Sequence, residues 1–168
     1  MTETQAETIS YGRRMTQLAG EHPDKVAVIF APIEGPERHV TWRELDSRSS
    51  QVARQLQEYG VDEESTVVIG LRNCPEHYFV AYGAWKLGAL VLPLRWQLPD
   101  RERDALLELA QPKVVVAEWE GIAFPRITLE GLRESEALSD EPLPDKVPQP
   151  GYGIGSGGST VRSKISRG

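Results

Sequence analysis

The residues best suited to chemistry lie near the end of the sequence, at 153–164, which reads GIGSGGSTVRSK. Glycines at 153, 155, 157 and 158 let the backbone turn where a Cβ would clash. Ser156, Ser159 and Thr160 bring hydroxyls, and Lys164 brings a mobile ammonium. Successive N–H groups in such a loop can converge on an anion, and hydroxyls with an ammonium complete a cradle for phosphate. The spacing is not the Walker pattern, Gly-x-x-x-x-Gly-Lys-Ser/Thr. Nor is it the dinucleotide fingerprint, because no strand–glycine–helix unit with a later acidic residue follows. On composition alone, a flexible Gly/Ser segment accounts for the string as well as a phosphate loop does.

Other chemical candidates are weaker. Cys74 precedes an expected helix, where the helix dipole favours a thiolate, and His77 follows three residues later. No acid partner completes a nucleophilic set, and two ligands do not make a metal site, so an inert, buried thiol is expected. His22 and His39 have no ligand spacing. Trp42, Trp85, Trp96 and Trp119 show no stacking periodicity with basic residues, which makes them packing residues rather than a nucleic-acid platform. Glu102, Asp104 and Glu108 read as a solvated helix face, and the basic end with Arg162, Lys164 and Arg167 reads as a solvated tail. No catalytic residue and no metal ligand is assigned.

A phosphate loop needs a scaffold, and the preceding sequence has the pattern of one. Tyr11, Met15, Leu18 and Ala19 recur at helical spacing up to His22-Pro23. Residues 25–30 (KVAVIF) read as a strand, Gly35-Pro36 as a turn, and 38–41 as a returning strand. Thr41-Trp42-Arg43-Glu44 is a capping box. It opens a helix with Leu45, Val52, Ala53, Leu56 and Tyr59 on one face, and Gly60 is placed to end that helix. A strand at 66–70 (TVVIG) follows. A helix then starts at Asn73, Pro75 and Glu76 and carries Tyr78, Phe79, Tyr82 and Trp85, with much of its surface buried. Next come a strand at 90–94, a helix from Pro99 or Asp100 with Leu106, Leu107 and Ala110, and a strand at 113–117 (KVVVA). This β-α-β-α-β order predicts a parallel sheet with right-handed crossovers. Further on, 126–129 reads as a strand and 130–138 as a short helix, while DEPLPDKVPQP (140–150) excludes both regular helix and central strand.

Two stretches carry a resemblance. SGGSTVRSK is similar to the phosphate-binding loop of the acyl-adenylate-forming enzymes, the family of acyl-CoA synthetases, luciferases and peptide-synthetase adenylation domains. That loop has the pattern Ser/Thr-Gly-Gly/Ser-Ser/Thr-Thr-Gly-x-Pro-Lys. Ser156, Gly157, Gly158, Ser159, Thr160 and Lys164 fit it; Val161 replaces a glycine and Ser163 a proline. GAWKLGALVLPL resembles the family segment Ala-x-x-Lys-x-Gly-Ala-x-x-x-Pro, through Ala84, Lys86, Gly88, Ala89 and Pro93. Thr41, Trp42, Glu44 and Leu45 match a helix start that the family also carries. The flavour is closest to CoA ligases of fatty, alicyclic or steroid-like (bile-acid-type) acids.

The resemblance implies an α/β fold: the partial N-terminal domain of an adenylate-forming enzyme, with a parallel-rich sheet flanked by helices. It implies ATP-dependent ligation of a carboxylic acid to CoA through an acyl-adenylate, with Mg²⁺ bridging the phosphates. Ser159, Thr160 and Lys164 would contact phosphate oxygens, and Gly157 and Gly158 would permit close approach. Val161 removes a position where positive φ is inexpensive, and Ser163 removes proline's φ restraint, so both changes loosen the cradle. The family's adenine-binding segment, aromatic-Thr-Glu motif, ribose-binding Asp, hinge and catalytic Lys are not among these residues. The expectation is therefore an N-terminal fragment, inactive alone, with a reading-frame change near codon 161 as the hypothesis for the lost loop residues. The alternatives are a small binding or dimerisation module and a standalone nucleotide-binding domain.

Length and composition agree with one globular unit. The chain has 168 residues, 39% hydrophobic and 26% charged, enough for a real core. The net charge of −6 argues against nucleic acid as a partner, which would need a basic face. A single cysteine excludes an internal disulfide. The polar start MTETQAETIS lacks a signal core, and no apolar run reaches the roughly 20 residues of a spanning helix, so a cytoplasmic protein is expected. The expected organisation is a disordered 1–8, an α/β domain over 9–138, a Pro-rich linker over 139–152, and the loop-like segment over 153–168. Apolar surface left exposed by the short chain is expected to reduce stability and to offer a route to a homo-oligomer.

Overall fold

A computed structural model describes residues 9–147, 152–156 and 164–167, with the backbone alone at 155–156 and 164–167. Residues 1–8, expected to be disordered, lie outside the described residues.

The first helix, α1 (Tyr11–Glu21), starts where the Ser10 hydroxyl accepts the Arg13 N–H (3.0 Å) and stops at His22, whose N–H reaches the Leu18 carbonyl (2.8 Å). Strands β1 (Val26–Phe30) and β2 (Arg38–Thr41) form an antiparallel hairpin. Thr41 then caps α2 (Trp42–Glu58) by accepting the Glu44 N–H at 3.2 Å. The expected capping box is only half made, because the Glu44 carboxylate lies on the Arg38 guanidinium instead (3.4 Å). Leu45, Val52, Ala53 and Leu56 are buried as their spacing predicts, whereas Tyr59, at the C-cap, is exposed. Gly60 follows with φ +78°, a conformation that glycine adopts without a Cβ penalty.

The remaining elements are β3 (Thr66–Gly70), α3 (Pro75–Lys86), β4 (Leu90–Pro93), α4 (Asp100–Ala110), β5 (Val114–Ala117), β6 (Arg126–Ile127) and α5 (Leu129–Leu132), with a 3₁₀ turn at Arg133–Ala137. Pro75 holds the first position of α3, where a missing N–H costs nothing. The cap is Cys74, not Asn73, and it makes no side-chain cap bond. α3 packs closely on α2 because a Cβ at Gly83 would stand 3.0 Å from the Ser49 carbonyl oxygen. Phe79 is buried on this helix, while Tyr78 faces outward.

Strand order in the main sheet is β4-β3-β5-β6, and every pairing is parallel. The β-branched runs are buried on both faces, and their side chains alternate between two layers. Val67, Ile69, Val91, Val114 and Val116 pack toward α2 and α3; Val68, Leu90, Leu92, Val115 and Ala117 pack toward Leu106, Leu107 and Ala110 of α4. The expected parallel α/β sheet flanked by helices is present. Beyond 137 the chain has no regular element up to Val147. Strands β7 (Gly153–Ser156) and β8 (Lys164–Arg167) then form an antiparallel hairpin, and Tyr152 makes a parallel bridge to Val91 of β4.

Candidate functional site

The Tyr152–Val91 bridge decides where the glycine-rich loop emerges. It is parallel, so β7 runs in the direction of β4, and Ser156 closes β7 at the carboxyl end of the main sheet. Ser156 and Lys164 are register partners across the hairpin, which brings together the two ends of the connection 157–163. Gly157, Gly158, Ser159 and Thr160 lie outside the described residues, as do the substituted positions Val161 and Ser163. In open α/β sheets ligands bind in the crevice beyond the carboxyl ends of the strands, and the described residues that flank the loop, Ser156 and Lys164, lie at that end.

Three further segments reach the same end. Arg72 and Asn73 follow β3, Arg95 and Trp96 follow β4, and Trp119 follows β5; the first four are exposed. The Arg72 guanidinium lies 4.0 Å from the Trp96 ring centroid, a cation–π contact. Trp119 supports this pair from behind, since its indole N–H donates to the Trp96 carbonyl at 2.8 Å. The Trp119 ring fills the space above Gly70, and Arg126 donates to its carbonyl. Arg103, itself 4% exposed, sits beside the ring at 6.0 Å and pairs with Asp100 (2.8 Å) and Asp104 (2.7 Å). Cations at the mouth of a crevice raise the local concentration of anions. Sequence reasoning missed Arg72, because only the strand order places it beside the segment after β4.

Among the described residues, Cys74, His77 and Glu76 do not form a reactive set. Burial pushes the Cys74 thiol up to about 11, which keeps it protonated at neutral pH. Burial holds His77 below its ordinary value. The Glu76 carboxylate pairs with Arg38 at 2.6 Å, and despite its burial that hydrogen bond holds it below the usual range. Among the described residues no group of three or more His, Cys, Asp or Glu side chains is placed to hold a metal ion, and no helix is long and apolar enough to cross a membrane.

Lys86 is a buried cation at 6% exposure. Its ammonium donates to the Asp46 carboxylate (2.7 Å), the Asp46 carbonyl (2.9 Å) and the Ser50 hydroxyl (2.7 Å). Burial lowers its pKa, and Asp46 opposes that shift. All three ammonium donors are thereby used, and Lys86 joins α2 to α3. A half-open cavity of about 180 Å³ lies beside it, between α1 and residues 142–146. This cavity is at the amino end of β4, where Lys146 passes over Gly88, and so is opposite to the end that carries the loop.

Comparison with known proteins gives a consistent result. The family described as "AMP-binding enzyme" matches residues 15–151. The crotonobetaine/carnitine–CoA ligase of Salmonella paratyphi B is 31% identical over 99 residues, which is 59% of this chain and 19% of the ligase. The match thus spans about a fifth of the length of that relative. The fold is shared with the N-terminal subdomain of Klebsiella oxytoca NpsA (TM-score 0.78, 22% identity, covering 96% of this chain and 42% of that one). It is shared also with Mycobacterium tuberculosis fatty acyl CoA synthetase (TM-score 0.81, 18% identity, 95% and 34%). A third such structure is Bacillus subtilis O-succinylbenzoate Coenzyme A synthetase in complex with AMP (TM-score 0.74, 20% identity, 90% and 40%). With the family match running from Met15 through α3, the main sheet and on to residue 151, the chain belongs to the AMP-binding enzymes and corresponds to the N-terminal part of an adenylate-forming enzyme.

Proposed function

We propose that this chain is the phosphate-binding N-terminal part of an ATP-dependent acid–CoA ligase. In that reaction a carboxylate attacks the α-phosphorus of ATP, pyrophosphate leaves, and the CoA thiol then displaces AMP from the acyl-adenylate. The observation that carries the reading is the parallel bridge of Tyr152 to Val91, with Ser156 opposite Lys164, at the carboxyl end of the sheet. Backbone N–H groups around Gly157 and Gly158, the hydroxyls of Ser156, Ser159 and Thr160, and the Lys164 ammonium would receive the β- and γ-phosphates. A cation beside developing phosphate charge stabilises a transition state, but catalysis requires several groups assembled around the reacting atoms. The 168 residues by themselves would bind nucleotide without forming adenylate. Mg²⁺ would enter bound to the nucleotide and offset the charge of its phosphates. A cytoplasmic location and a carboxylic acid of fatty or alicyclic type belong to the same proposal.

The test is calorimetric titration with Mg·ATP beside an assay for AMP and pyrophosphate release with acid and CoA present. The expected result is saturable binding that Lys164→Ala abolishes, with no release of either product. Absence of binding at millimolar ATP would count against the reading. The exposed Ile29, Ile33, Tyr152 and Ile154 favour one second reading, a non-catalytic binding or dimerisation module. It would be supported by a concentration-dependent oligomer without nucleotide affinity in sedimentation.

A further inference from the structure

Residues 138–146 carry the chain from the 3₁₀ turn to the amino end of β4, and they are anchored at successive points. The Gln51 amide donates to the Leu138 carbonyl at 3.0 Å, and the Arg54 guanidinium donates to the Glu141 carbonyl at 3.0 Å. Leu143 packs against the core cluster of α2 and α3. Asp145 accepts from the Ser10 hydroxyl, a group only 2% exposed that also caps α1. The Lys146 ammonium lies 2.6 Å from the Glu63 carboxylate. Glu63 and Lys146 both pass over Gly88, where φ is +77° and a Cβ would stand 2.9 Å from Glu63 Cγ. Gly88 therefore leaves room for this crossing at the start of β4.

The next described residue, Tyr152, is already paired with Val91 of the same strand. Only residues 148–151 separate Val147 from Tyr152 in the sequence. We propose that Asp145 and Lys146 are positioning residues for the phosphate loop. Through Ser10 and Glu63 they fix the point from which the chain enters β7, and hence the place of the Ser156–Lys164 pair at the carboxyl end. This rests on the reading of 156–164 as a phosphate loop. It assigns 138–146 the role of a strap that registers the hairpin against β4, instead of a passive linker.

The test compares Lys146→Glu, Asp145→Ala and the charge-reversed pair Glu63→Lys/Lys146→Glu. The first readout is amide hydrogen exchange at Gly153–Ser156 by NMR; the second is the Mg·ATP dissociation constant of the full chain. Lys146→Glu faces Glu63 with a like charge and should raise both exchange in β7 and the dissociation constant by on the order of threefold or more. Amides of β3 and β5 should keep their protection, and the reversed pair should restore both readouts. Asp145→Ala leaves the cap of α1 intact and should act in the same direction. Unchanged β7 exchange in both single variants overturns the proposal, as does a loss of affinity that charge reversal does not restore. If β7 exchange responds and is restored while even the wild-type chain binds no ATP, the strap stands and the nucleotide reading falls.

Discussion

Gly70→Ala should be among the most damaging single-methyl changes in this chain. Gly70 ends β3, and a Cβ there would fall within 2.6 Å of three ring carbons of Trp119. The ring cannot simply withdraw. Trp119 is 9% exposed, its indole N–H is held by the Trp96 carbonyl at 2.8 Å, and Arg103 lies beside it. Overpacking of a tight core costs about 1–3 kcal/mol, and displacing the indole from its acceptor adds about 1 kcal/mol. A total of about 2–4 kcal/mol corresponds to a fall in Tm of roughly 4–16 °C for a chain of this size. Urea melts followed by tryptophan fluorescence and by circular dichroism measure it. Trp119→Phe in the Gly70→Ala background removes the distal indole ring, so the two losses should sum to more than the double variant loses. A Gly70→Ala protein within about 0.5 kcal/mol of wild type, the scatter of neutral substitutions, or strict additivity with Trp119→Phe, would show that the Trp119 ring does not hold Gly70 in place.

Asp46→Asn should leave the Lys86 ammonium buried without its carboxylate, at a cost of about 3–5 kcal/mol at neutral pH. Burial already holds Lys86 below the ordinary lysine value of 10.5. Between the folded and unfolded pKa the unfolded chain binds more protons, so this group's contribution to stability rises with pH until about 10.5. In Asp46→Asn that window opens lower, and the deficit against wild type should shrink between urea melts at pH 7 and pH 10. Cys74 should resist iodoacetamide at pH 7.5 and react as pH passes through the range between 9.0 and about 11, as timed alkylation with mass spectrometry would measure. Its raised folded pKa also contributes stability that is complete below about pH 9 and is lost as pH rises through 11.

The parallel sheet was legible because TVVIG and KVVVA are β-branched runs without a polar alternation, as expected for strands covered on both faces. Helix starts were legible where chemistry is local: Ser10, Thr41 and Pro75 act within their own turn. Side chains with remote partners were not. Glu44 was expected to reach back to its cap, yet Arg38, delivered by the β1–β2 hairpin, takes its carboxylate. Tyr59 fits the apolar spacing of α2 but falls at the C-cap, past the last turn that the core covers. Asn73 is the better capping residue by type, but Pro75 fixes the first turn and leaves Cys74 at the cap. At the candidate site, residue types and the family resemblance pointed to Ser156 through Lys164. The pairing of Ser156 with Lys164 and the approach of Arg72 to Trp96 depend on strand order, which no local pattern encodes.

On the proposed reading, the connection between β7 and β8 receives the phosphates of a nucleotide. Amide shifts in a Mg·ATP titration of the ¹⁵N-labelled chain test it most directly. Saturable shifts are expected only at Ser156, Lys164, the residues between them and the Arg72–Trp96 pair, all absent in Lys164→Ala. A lack of saturable shifts would contradict it. So would shifts centred on the cavity of Gly12, Thr16 and residues 142–146 at the opposite end of the sheet.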